Sequence, residues 1–330
     1  MTRIALDASG GDFAPTNPVL GALSALEVLP ESCEIVLIGP RAEVEAELRS
    51  QGEPPDRISV VDAPETIGMA EKPLSAVRSK KRSSIVLGLS MHKAGDVDAF
   101  ISAGNTGAVM AASTLLLGLT DGVERPAIGA ILPSVPDPVL LLDAGANVDC
   151  SAEELLGFAY LGAVYARDVL RRPAPRVGLL NIGEESEKGN AVAKEAHQLF
   201  RRSDHFTFAG NVEGSDILVN KCDVIACDGF VGNIVLKFYE STGRIFADLL
   251  KREVDPAILS GPGMGRVLRF LDYSEYGGAP LLGVRGISII CHGRSSPAAI
   301  KNAIRVAMQS VDSHLTQHIR DEFAEGGAVA

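Results

Sequence analysis

The chain has 330 residues, of which 46% are hydrophobic, so it is long enough for a large α/β domain with a full core. Its formal net charge of −11 argues against a nucleic-acid-binding protein, because such proteins carry an excess of basic residues. The five cysteines lack zinc-binding or redox spacing, so we expect reduced thiols. Strand-forming residues begin at position 3 and no apolar run reaches ~18 residues, so we expect neither a signal peptide nor a membrane-spanning helix.

Strand-like and helix-like segments alternate along the first 120 residues. Apolar β-rich runs predict strands, and longer amphipathic runs predict helices. Alternation of this kind predicts an α/β fold with a mainly parallel sheet and right-handed crossovers. The predicted strands are 4–7, 34–38, 58–61 and 98–101, and the predicted helices are 18–29, 42–51, 77–82, 84–94 and 108–119, with an irregular loop at 66–75.

The second part of the chain continues the pattern with one interruption. Strands 128–132 and 139–142 are separated by a proline-rich turn and are expected to pair antiparallel, and a capping box at Ser151 and Glu154 opens a helix to 171. A glycine-rich loop is predicted at 276–283. The further predicted strands are 177–180, 205–209, 224–226 and 287–290, and the further helices are 190–202, from 233 onward, and 298–322.

We interpret residues 1–330 as a single α/β catalytic domain. Within it, residues 236–275 are apolar, interrupted by glycine and flanked by cations, which predicts a protruding helical hairpin. Such a hairpin could pack in a dimer, could contact a membrane surface through apolar tips and basic side chains, or could do both.

Polar, glycine-bearing loops follow many of the predicted strands. Glycine lets the backbone approach a ligand closely, and the start of a helix offers unpaired N–H groups and the positive end of a dipole. We therefore expect these loops to line one cleft for a phosphate-like group. They lie at 7–15, 102–108, 142–147, 181–190, 223–233 and 291–296.

Two of these loops lie in the first third of the chain. Asp7 and Asp12 flank the turn at Gly10 and Gly11, where they could clamp a substrate or cap turns. The next loop supplies side-chain and backbone donors suited to a phosphate, and helix capping by Asn105 or Thr106 is compatible with that function. Its candidate residues are Ser102, Gly104, Asn105 and Thr106.

Lys188 lies close to the start of a predicted helix. The helix dipole repels a positive charge there, so anion binding explains this lysine better than helix stability does. Glu184, Glu185 and Glu187 precede it, but no histidine or aspartate follows at ligand spacing, so we expect no metal.

Seven loop motifs, taken in order from Asp7 to Asn302, resemble the bacterial phosphate acyltransferase (PlsX) family. Ser9 departs from the family pattern, which usually has methionine there. The motifs are Asp-Ala-Ser-Gly-Gly-Asp-Phe-Ala-Pro, Ser-Ala-Gly-Asn-Thr-Gly-Ala, Leu-Asp-Ala-Gly-Ala-Asn, Asn-Ile-Gly-Glu-Glu-x-x-Lys-Gly-Asn, Cys-Asp-Gly-Phe-Val-Gly-Asn, Glu-Tyr-Gly-Gly-Ala-Pro-Leu-Leu-Gly and Cys-His-Gly-x-Ser.

The resemblance implies transfer of a fatty acyl group from acyl carrier protein to inorganic phosphate, which gives an acyl phosphate for phospholipid synthesis. It implies a Rossmann-like three-layer sandwich similar to the isocitrate and isopropylmalate dehydrogenases, with no metal and no cofactor. It also implies a homodimer attached peripherally to the cytoplasmic face of the membrane, and a membrane glycerol-3-phosphate acyltransferase as a partner.

A thioester is already activated, so such an enzyme must hold and aim phosphate and stabilise the oxyanion. We assign phosphate or developing charge to Lys188, and phosphate or oxyanion orientation to Asn233, helped by the backbone N–H groups of Gly229 and Gly232. His292 could protonate the leaving thiolate or be structural. Cys227 could carry an acyl group, but its buried strand end favours an inert thiol. The remaining predicted substrate-binding residues are Asp143, Asn147 and Asn181.

Three other functions stay open at this point. One is a phosphotransacetylase-type enzyme that uses an acyl-coenzyme A. Another is a dehydrogenase, for which we see neither metal-binding aspartates nor a nicotinamide site. The third is a non-catalytic membrane scaffold for lipid synthesis.

Overall fold

The computed structural model describes residues 1–271 and 273–326. The described chain divides into two compact units, one formed by residues 1–126 and 277–321 and the other by residues 127–271, 273–276 and 322–326. The sequence predicts a single catalytic domain, and joint action of the two units stays a prediction.

Most predicted strands and helices are present close to their expected positions. The strands are β1 Thr2–Asp7, β2 Cys33–Gly39, β3 Ile58–Asp62, β4 Ala99–Ser102, β5 Ala127–Leu132, β6 Val139–Leu142, β7 Arg176–Leu180, β8 Thr207–Val212, β9 Val224–Ala226, β10 Ala279–Leu282 and β11 Ile287–Ile290. The helices are α1 Thr16–Leu26, α2 Arg41–Ser50, α3 Pro73–Ser79, α4 Ser84–Ala94, α5 Thr106–Leu116, α6 Ala152–Asp168, α7 Ala191–Arg202, α8 Gly229–Glu253, α9 Pro256–Leu259, α10 Pro262–Leu271, α11 Pro297–Asp312 and α12 Leu315–Gly326.

The first unit is built on a sheet in the order β3-β2-β1-β4-β11-β10. All neighbours are parallel except β10, which runs antiparallel to β11. Alternate side chains face opposite sides of a strand. Ile101 therefore joins the core cluster that includes Val19 of α1 and Ile304 of α11, whereas Phe100 packs against Gly88 of α4. Helices thus cover both faces of this sheet.

The second unit has a sheet in the order β5-β6-β9-β7-β8. Strands β6, β9, β7 and β8 are parallel, and β5 pairs antiparallel with β6, as the proline-rich turn predicts. Gly162 of α6 approaches Val224 on one face, and Tyr239 of α8 packs against the cluster that contains Ile225 on the other. The prediction of a mainly parallel α/β fold is therefore confirmed.

Helix α3 lies at Pro73–Ser79, whereas the sequence predicts a loop to 75 and a helix at 77–82. Apart from such shifts, the structure differs from the predicted elements at three places. Helix α8 begins at Gly229 instead of Gly232 or Asn233, because the Asp228 side chain accepts the Val231 N–H and caps the helix there. Strand β10 lies where a loop is predicted. The glycines at 277 and 283 indicated a continuous loop, but they only flank a short buried strand. The predicted C-terminal helix is divided into α11 and α12 at His314, which has a φ of 54°.

The predicted hairpin at 236–275 corresponds to most of α8 followed by α9 and α10, and residue 272 lies outside the described residues. Helix α10 packs alongside α8. Tyr239 Oη of α8 donates to Phe270 O of α10 at 3.2 Å, and a Cβ on Gly243 would lie 2.6 Å from Leu271 O. Contact of this hairpin with a membrane or a second chain stays a prediction. Over residues 1–271 and 273–326, no helix combines the length and the apolar character needed to cross a bilayer.

Candidate functional site

The predicted site residues fall into two groups, one in each unit, and each is described by itself. In the first unit they follow the neighbouring strands β1, β4 and β11, and in the second unit they follow the neighbouring strands β6, β9 and β7. Within each unit these three strands are parallel, so their carboxyl ends meet at one edge, where α/β proteins bind ligands. That all the loops line one cleft stays a prediction.

In the first unit, Asp7 braces the loops that follow β1 and β4. Its carboxylate is 1% exposed and accepts the Ser9 N–H at 2.9 Å and the Ser102 hydroxyl at 2.6 Å. The buried Gly104 N–H donates to Ser102 Oγ at 3.0 Å. Burial raises the pKa of the Asp7 carboxyl. The geometry favours the turn-capping alternative for Asp7. The Ser102 hydroxyl, which the sequence predicts to donate to a ligand, donates to Asp7 instead.

The glycine turn is fitted closely around this brace. A Cβ on Gly10 would lie 2.5 Å from Asp7 Oδ2, and Gly11 has a φ of 101°, which favours glycine. The Asp12 N–H donates to Gly293 O at 2.7 Å, which ties the loops after β1 and β11 together. The Asp12 side chain itself is exposed. Of the residues in this turn, only Asp12 presents a charged group at the surface.

Asn105 anchors a neighbouring loop. Its Oδ1 accepts the Ala108 N–H at 3.0 Å, which caps α5, and its Nδ2 lies 3.1 to 3.2 Å from three carbonyl oxygens, those of Gly68, Met69 and Glu71. The Asn105 side chain therefore caps α5. Its amide N–H groups, which the sequence predicts to bind phosphate, point to the backbone of residues 68–71. Thr106, the first residue of α5, is exposed.

His292 is exposed after β11 and accepts the Arg294 N–H on Nδ1 at 3.1 Å. In a neutral imidazole one nitrogen accepts and the other donates, so this bond places the proton on Nε2. This tautomer is compatible with the predicted function of His292 as a proton donor to the leaving thiolate. That function stays a prediction.

In the second unit, the buried Asp143 organises the loop after β6. Its carboxylate is fully buried and accepts four backbone N–H groups and one side-chain amide, which belong to Ile128, Gly145, Ala146 and Asn147. The Asn147 amide donates to Asp143 Oδ2 at 3.0 Å, and Asn147 O accepts the Gly229 N–H at 2.7 Å. Both residues hold the loop in shape, whereas the sequence predicts that they contact substrate.

The N–H groups predicted to bind phosphate at the start of α8 are used inside the fold. The Gly229 N–H donates to Asn147 O, and the Gly232 N–H donates to Asp228 O at 2.9 Å. The prediction that these two N–H groups are open to an anion is wrong, because α8 begins one turn earlier than expected. The two glycines instead allow close packing, since a Cβ on Gly232 would collide with Asp143 O and one on Gly229 would lie 2.6 Å from Asn147 O.

Cys227 directly follows β9 and lies two residues before the start of α8. The thiol is 4% exposed, its Sγ lies 3.5 Å from Asp143 O, and burial raises its pKa well above the ordinary value. A buried thiol with little thiolate is a poor nucleophile. The structure therefore favours the inert thiol over an acyl-carrying cysteine.

Asn233 lies in the second turn of α8 and is exposed. Its amide makes no hydrogen bond to any described residue. It lies beside Gly145, where a Cβ would be 3.4 Å from Asn233 Oδ1 and where φ is 134°. The amide is thus held next to the loop after β6 with its polar end available to a ligand.

Lys188 is presented by the loop after β7. Asn181 Nδ2 donates to Lys188 O at 3.1 Å, and the Lys188 N–H donates to Glu185 O at 3.1 Å, so its backbone is held at two points. Its side chain is exposed, and its Nζ forms no hydrogen bond or ion pair within residues 1–271 and 273–326. Asn181 thus supports the loop, and the ammonium group is available to an anion.

Two supporting residues of this loop were missed by the sequence analysis. The Asn211 amide in β8 donates to Glu185 O at 2.8 Å, and Lys221 Nζ binds the carboxylates of Glu184 and Asp216. An asparagine inside a strand is unusual and was a usable signal, but the strand was predicted to end at 209. Among the described residues, no three His, Cys, Asp or Glu side chains gather as a possible metal site.

Two loops of the second unit each present a side-chain donor of a kind that binds oxyanions. Strands β9 and β7 are neighbours, so their carboxyl ends lie about 5 Å apart, and one is followed by the Asn233 amide and the other by the Lys188 ammonium. A cation and a neutral donor at one sheet edge can bind phosphate and stabilise negative charge that develops on an oxygen.

Comparison with known proteins identifies the family of the chain. Residues 2–318 match the family model "Fatty acid synthesis protein". The chain is 46% identical over 329 residues to the phosphate acyltransferase of Desulforamulus reducens, with 98% of each chain covered, and 45% identical over 335 residues to that of Nostoc punctiforme, with 97% and 96% covered.

Solved structures with low identity share the fold. A phosphotransacetylase from Streptococcus pyogenes has a TM-score of 0.66 at 15% identity, and EutD phosphotransacetylase from Staphylococcus aureus has a TM-score of 0.62 at 13% identity. Each alignment covers 94% of both chains. The sequence matches confirm the family predicted from the loop motifs and show that the chain belongs to the fatty acid synthesis protein family.

Proposed function

We propose that this chain transfers a fatty acyl group from acyl carrier protein to inorganic phosphate and releases acyl phosphate and free carrier protein. The observation that carries the proposal is similarity over the whole chain, 46% and 45% identity, to proteins named phosphate acyltransferase. The choice of acyl carrier protein as the acyl donor rests on the loop motifs and on the family, whose description is "Fatty acid synthesis protein".

The chemistry asks little of the protein beyond binding and electrostatics. A phosphate oxygen attacks the thioester carbonyl, a tetrahedral oxyanion forms, and its collapse breaks the carbon–sulfur bond and expels the thiolate. Lys188 neutralises the phosphate or the developing charge, and the Asn233 amide orients one of these oxygens. Both side chains are exposed and have no partner among the described residues, so binding a ligand breaks no existing bond.

Trapping of the product tests the proposal. The purified chain is mixed with palmitoyl carrier protein and phosphate, without metal or nicotinamide, and hydroxylamine is added to convert acyl phosphate to hydroxamate. We expect hydroxamate that depends on both enzyme and phosphate. No hydroxamate above the phosphate-free control would reject the activity, whereas faster turnover of short-chain acyl-coenzyme A than of palmitoyl carrier protein would favour the phosphotransacetylase-type alternative.

We also propose that the chain acts as a homodimer at the cytoplasmic face of the membrane and passes acyl phosphate to a membrane glycerol-3-phosphate acyltransferase. The hairpin supports a surface contact, because α8 exposes 73% of Phe238, 60% of Ile245 and 53% of Phe246. Apolar side chains on an exposed helix, with cations nearby, suit either a lipid headgroup layer or another protein chain. The cations of α8 and α10 are Lys237, Arg244, Lys251, Arg252, Arg266 and Arg269.

A further inference from the structure

A buried histidine–asparagine pair supports the loop that carries Lys188. His197 of α7 and Asn211 of β8 are 9% and 2% exposed, and His197 Nδ1 lies 3.0 Å from Asn211 Oδ1. The other end of the asparagine donates from Nδ2 to Glu185 O at 2.8 Å. Oδ1 is therefore the acceptor of the first bond, so His197 carries its proton on Nδ1.

The carbonyl of Glu185 joins this pair to Lys188. It accepts the Asn211 amide and also the Lys188 N–H at 3.1 Å, and Asn181 Nδ2 holds Lys188 O on the other side. A continuous series of hydrogen bonds thus runs from a buried imidazole to the backbone of an exposed lysine. It includes no alternative partner for the Lys188 side chain, whose ammonium group is left for a ligand.

Packing alone does not explain this arrangement. Burying polar side chains carries a desolvation cost, and replacing both partners of a buried hydrogen bond with apolar groups of the same shape can be nearly neutral for stability. A satisfied polar pair instead fixes one geometry. We propose that His197 and Asn211 are positioning residues for Lys188, and that they set the location of its ammonium group against the phosphate. This inference rests on the proposed function.

Asn211→Asp tests the step from the pair to the loop. The substitution keeps the size of the side chain and the acceptor for His197, but it replaces the donor to Glu185 O with an oxygen that repels it. We expect kcat/KM for phosphate to fall about tenfold, because small displacements of a reacting group are costly, while KM for palmitoyl carrier protein stays unchanged. In a Lys188→Ala background the same substitution is expected to have no further effect.

Two histidines of the second unit provide a matched control. The His197 ring packs at 5.0 Å from the Phe208 ring, and the His205 ring packs at 5.0 Å from the Tyr160 ring. His197 Nδ1 contacts Asn211, whereas His205 contacts Glu322 through Nδ1 and Asp204 through Nε2. Replacement by phenylalanine keeps the ring contact and removes the hydrogen bond. We expect His197→Phe to lower kcat/KM for phosphate severalfold and His205→Phe to leave it unchanged.

Limited digestion with trypsin gives a readout without activity, since Lys188 is an exposed cleavage site. Asn211→Asp is expected to speed the first cut after Lys188 about tenfold by loosening its backbone. Unchanged digestion, an equal loss in the phosphate and acyl-donor parameters, or a full effect in the Lys188→Ala background would each overturn the inference. Faster digestion in a chain that forms no acyl phosphate would support the anchoring and reject the proposed function.

Discussion

Asp143 and Lys188 are both charged residues that follow strands of the same sheet, yet the fold uses them in opposite ways. The Asp143 carboxylate is fully buried and accepts five N–H donors, four from the backbone and one from Asn147, whereas the Lys188 ammonium is exposed and has no partner among the described residues. Residue type and spacing predict both as site residues. Only the hydrogen bonds separate the residue that shapes the loop from the one that can meet a ligand.

Replacement of Lys188 should affect the reaction but not the stability. We expect Lys188→Ala to lower kcat/KM for phosphate by about 100-fold or more, as when one transition-state donor is lost, and Lys188→Arg to restore part of it. The free energy of unfolding should change by less than about 0.5 kcal/mol, because the side chain is exposed. Hydroxamate assays measure the first effect, and Lys194→Ala, an exposed lysine of α7, is the control. Equal rates for both alanine variants would reject the assignment.

Replacement of Asp143 should mainly affect stability. Asp143→Ala leaves several buried N–H groups without an acceptor, and we expect the free energy of unfolding to fall by about 3 kcal/mol or more. Urea unfolding followed by circular dichroism measures it, since the chain has no tryptophan. Asp12→Ala, which removes an exposed carboxylate, serves as the comparison. A similar small change in both variants would show that the Asp143 bonds are dispensable.

Elements are joined by polar contacts that sequence periodicity does not reveal. His92 of α4 donates from Nδ1 to Val97 O at 2.9 Å and accepts the Ile287 N–H of β11 on Nε2 at 2.8 Å. Both ring nitrogens are used only while the imidazole is neutral, because the accepting nitrogen must have no proton. Burial lowers the pKa of His92 from its ordinary value of 6.5.

This contact predicts a loss of stability in acid. The folded pKa is lower than the unfolded one, so the unfolded chain binds the proton first as the pH falls. The contribution of His92 is therefore complete above about pH 6.5 and is lost progressively as the pH falls through the folded pKa. Urea unfolding of the wild type and of His92→Gln between pH 8 and 5 should show a smaller acid loss in the variant. Parallel pH dependence in the two proteins would contradict the prediction.

The hairpin formed by α8, α9 and α10 makes a prediction at the same scale. Phe238→Ser combined with Ile245→Ser removes exposed apolar area, so we expect weaker sedimentation with vesicles that contain about 30% anionic lipid. Phe13→Ser, which removes a 52% exposed phenylalanine of the first unit, should bind as the wild type does. Unchanged vesicle binding with loss of the dimer in light scattering would assign the hairpin to self-association instead.

At the scale of the whole molecule, alternating strands and helices were sufficient to predict a mainly parallel α/β fold. The antiparallel pair β5 and β6 was predicted as well, because a proline-rich turn of a few residues cannot hold a parallel crossover. Two of the errors come from glycines, and the third is the break between α11 and α12 at His314. Because glycine has a low propensity for strands and helices, the sequence predicted a loop in place of β10 and a later start for α8. In the structure, pairing with β11 and the Asp228 cap override that propensity.

The candidate site was predictable to the level of loops but not of atoms. Each unit places its predicted loops after three neighbouring parallel strands, as the pattern of polar residues after strands indicates. The sequence does not state which polar atoms satisfy one another, so Asn105 and Asn147 were indistinguishable from Asn233. Asn211 was missed because the strand was predicted to end at 209, and the sequence does not show that His197 pairs with it.

The early start of α8 has a consequence for how an anion is recognised. Because the Gly229, Val231 and Gly232 N–H groups are already bonded within the chain, the start of α8 offers a small anion the Asn233 carboxamide instead of these three peptide nitrogens, and the loop after β7 adds the Lys188 ammonium. Binding of an anion by these side chains depends on its charge more than on its exact shape. Added salt should therefore weaken phosphate binding, and arsenate should be accepted in place of phosphate.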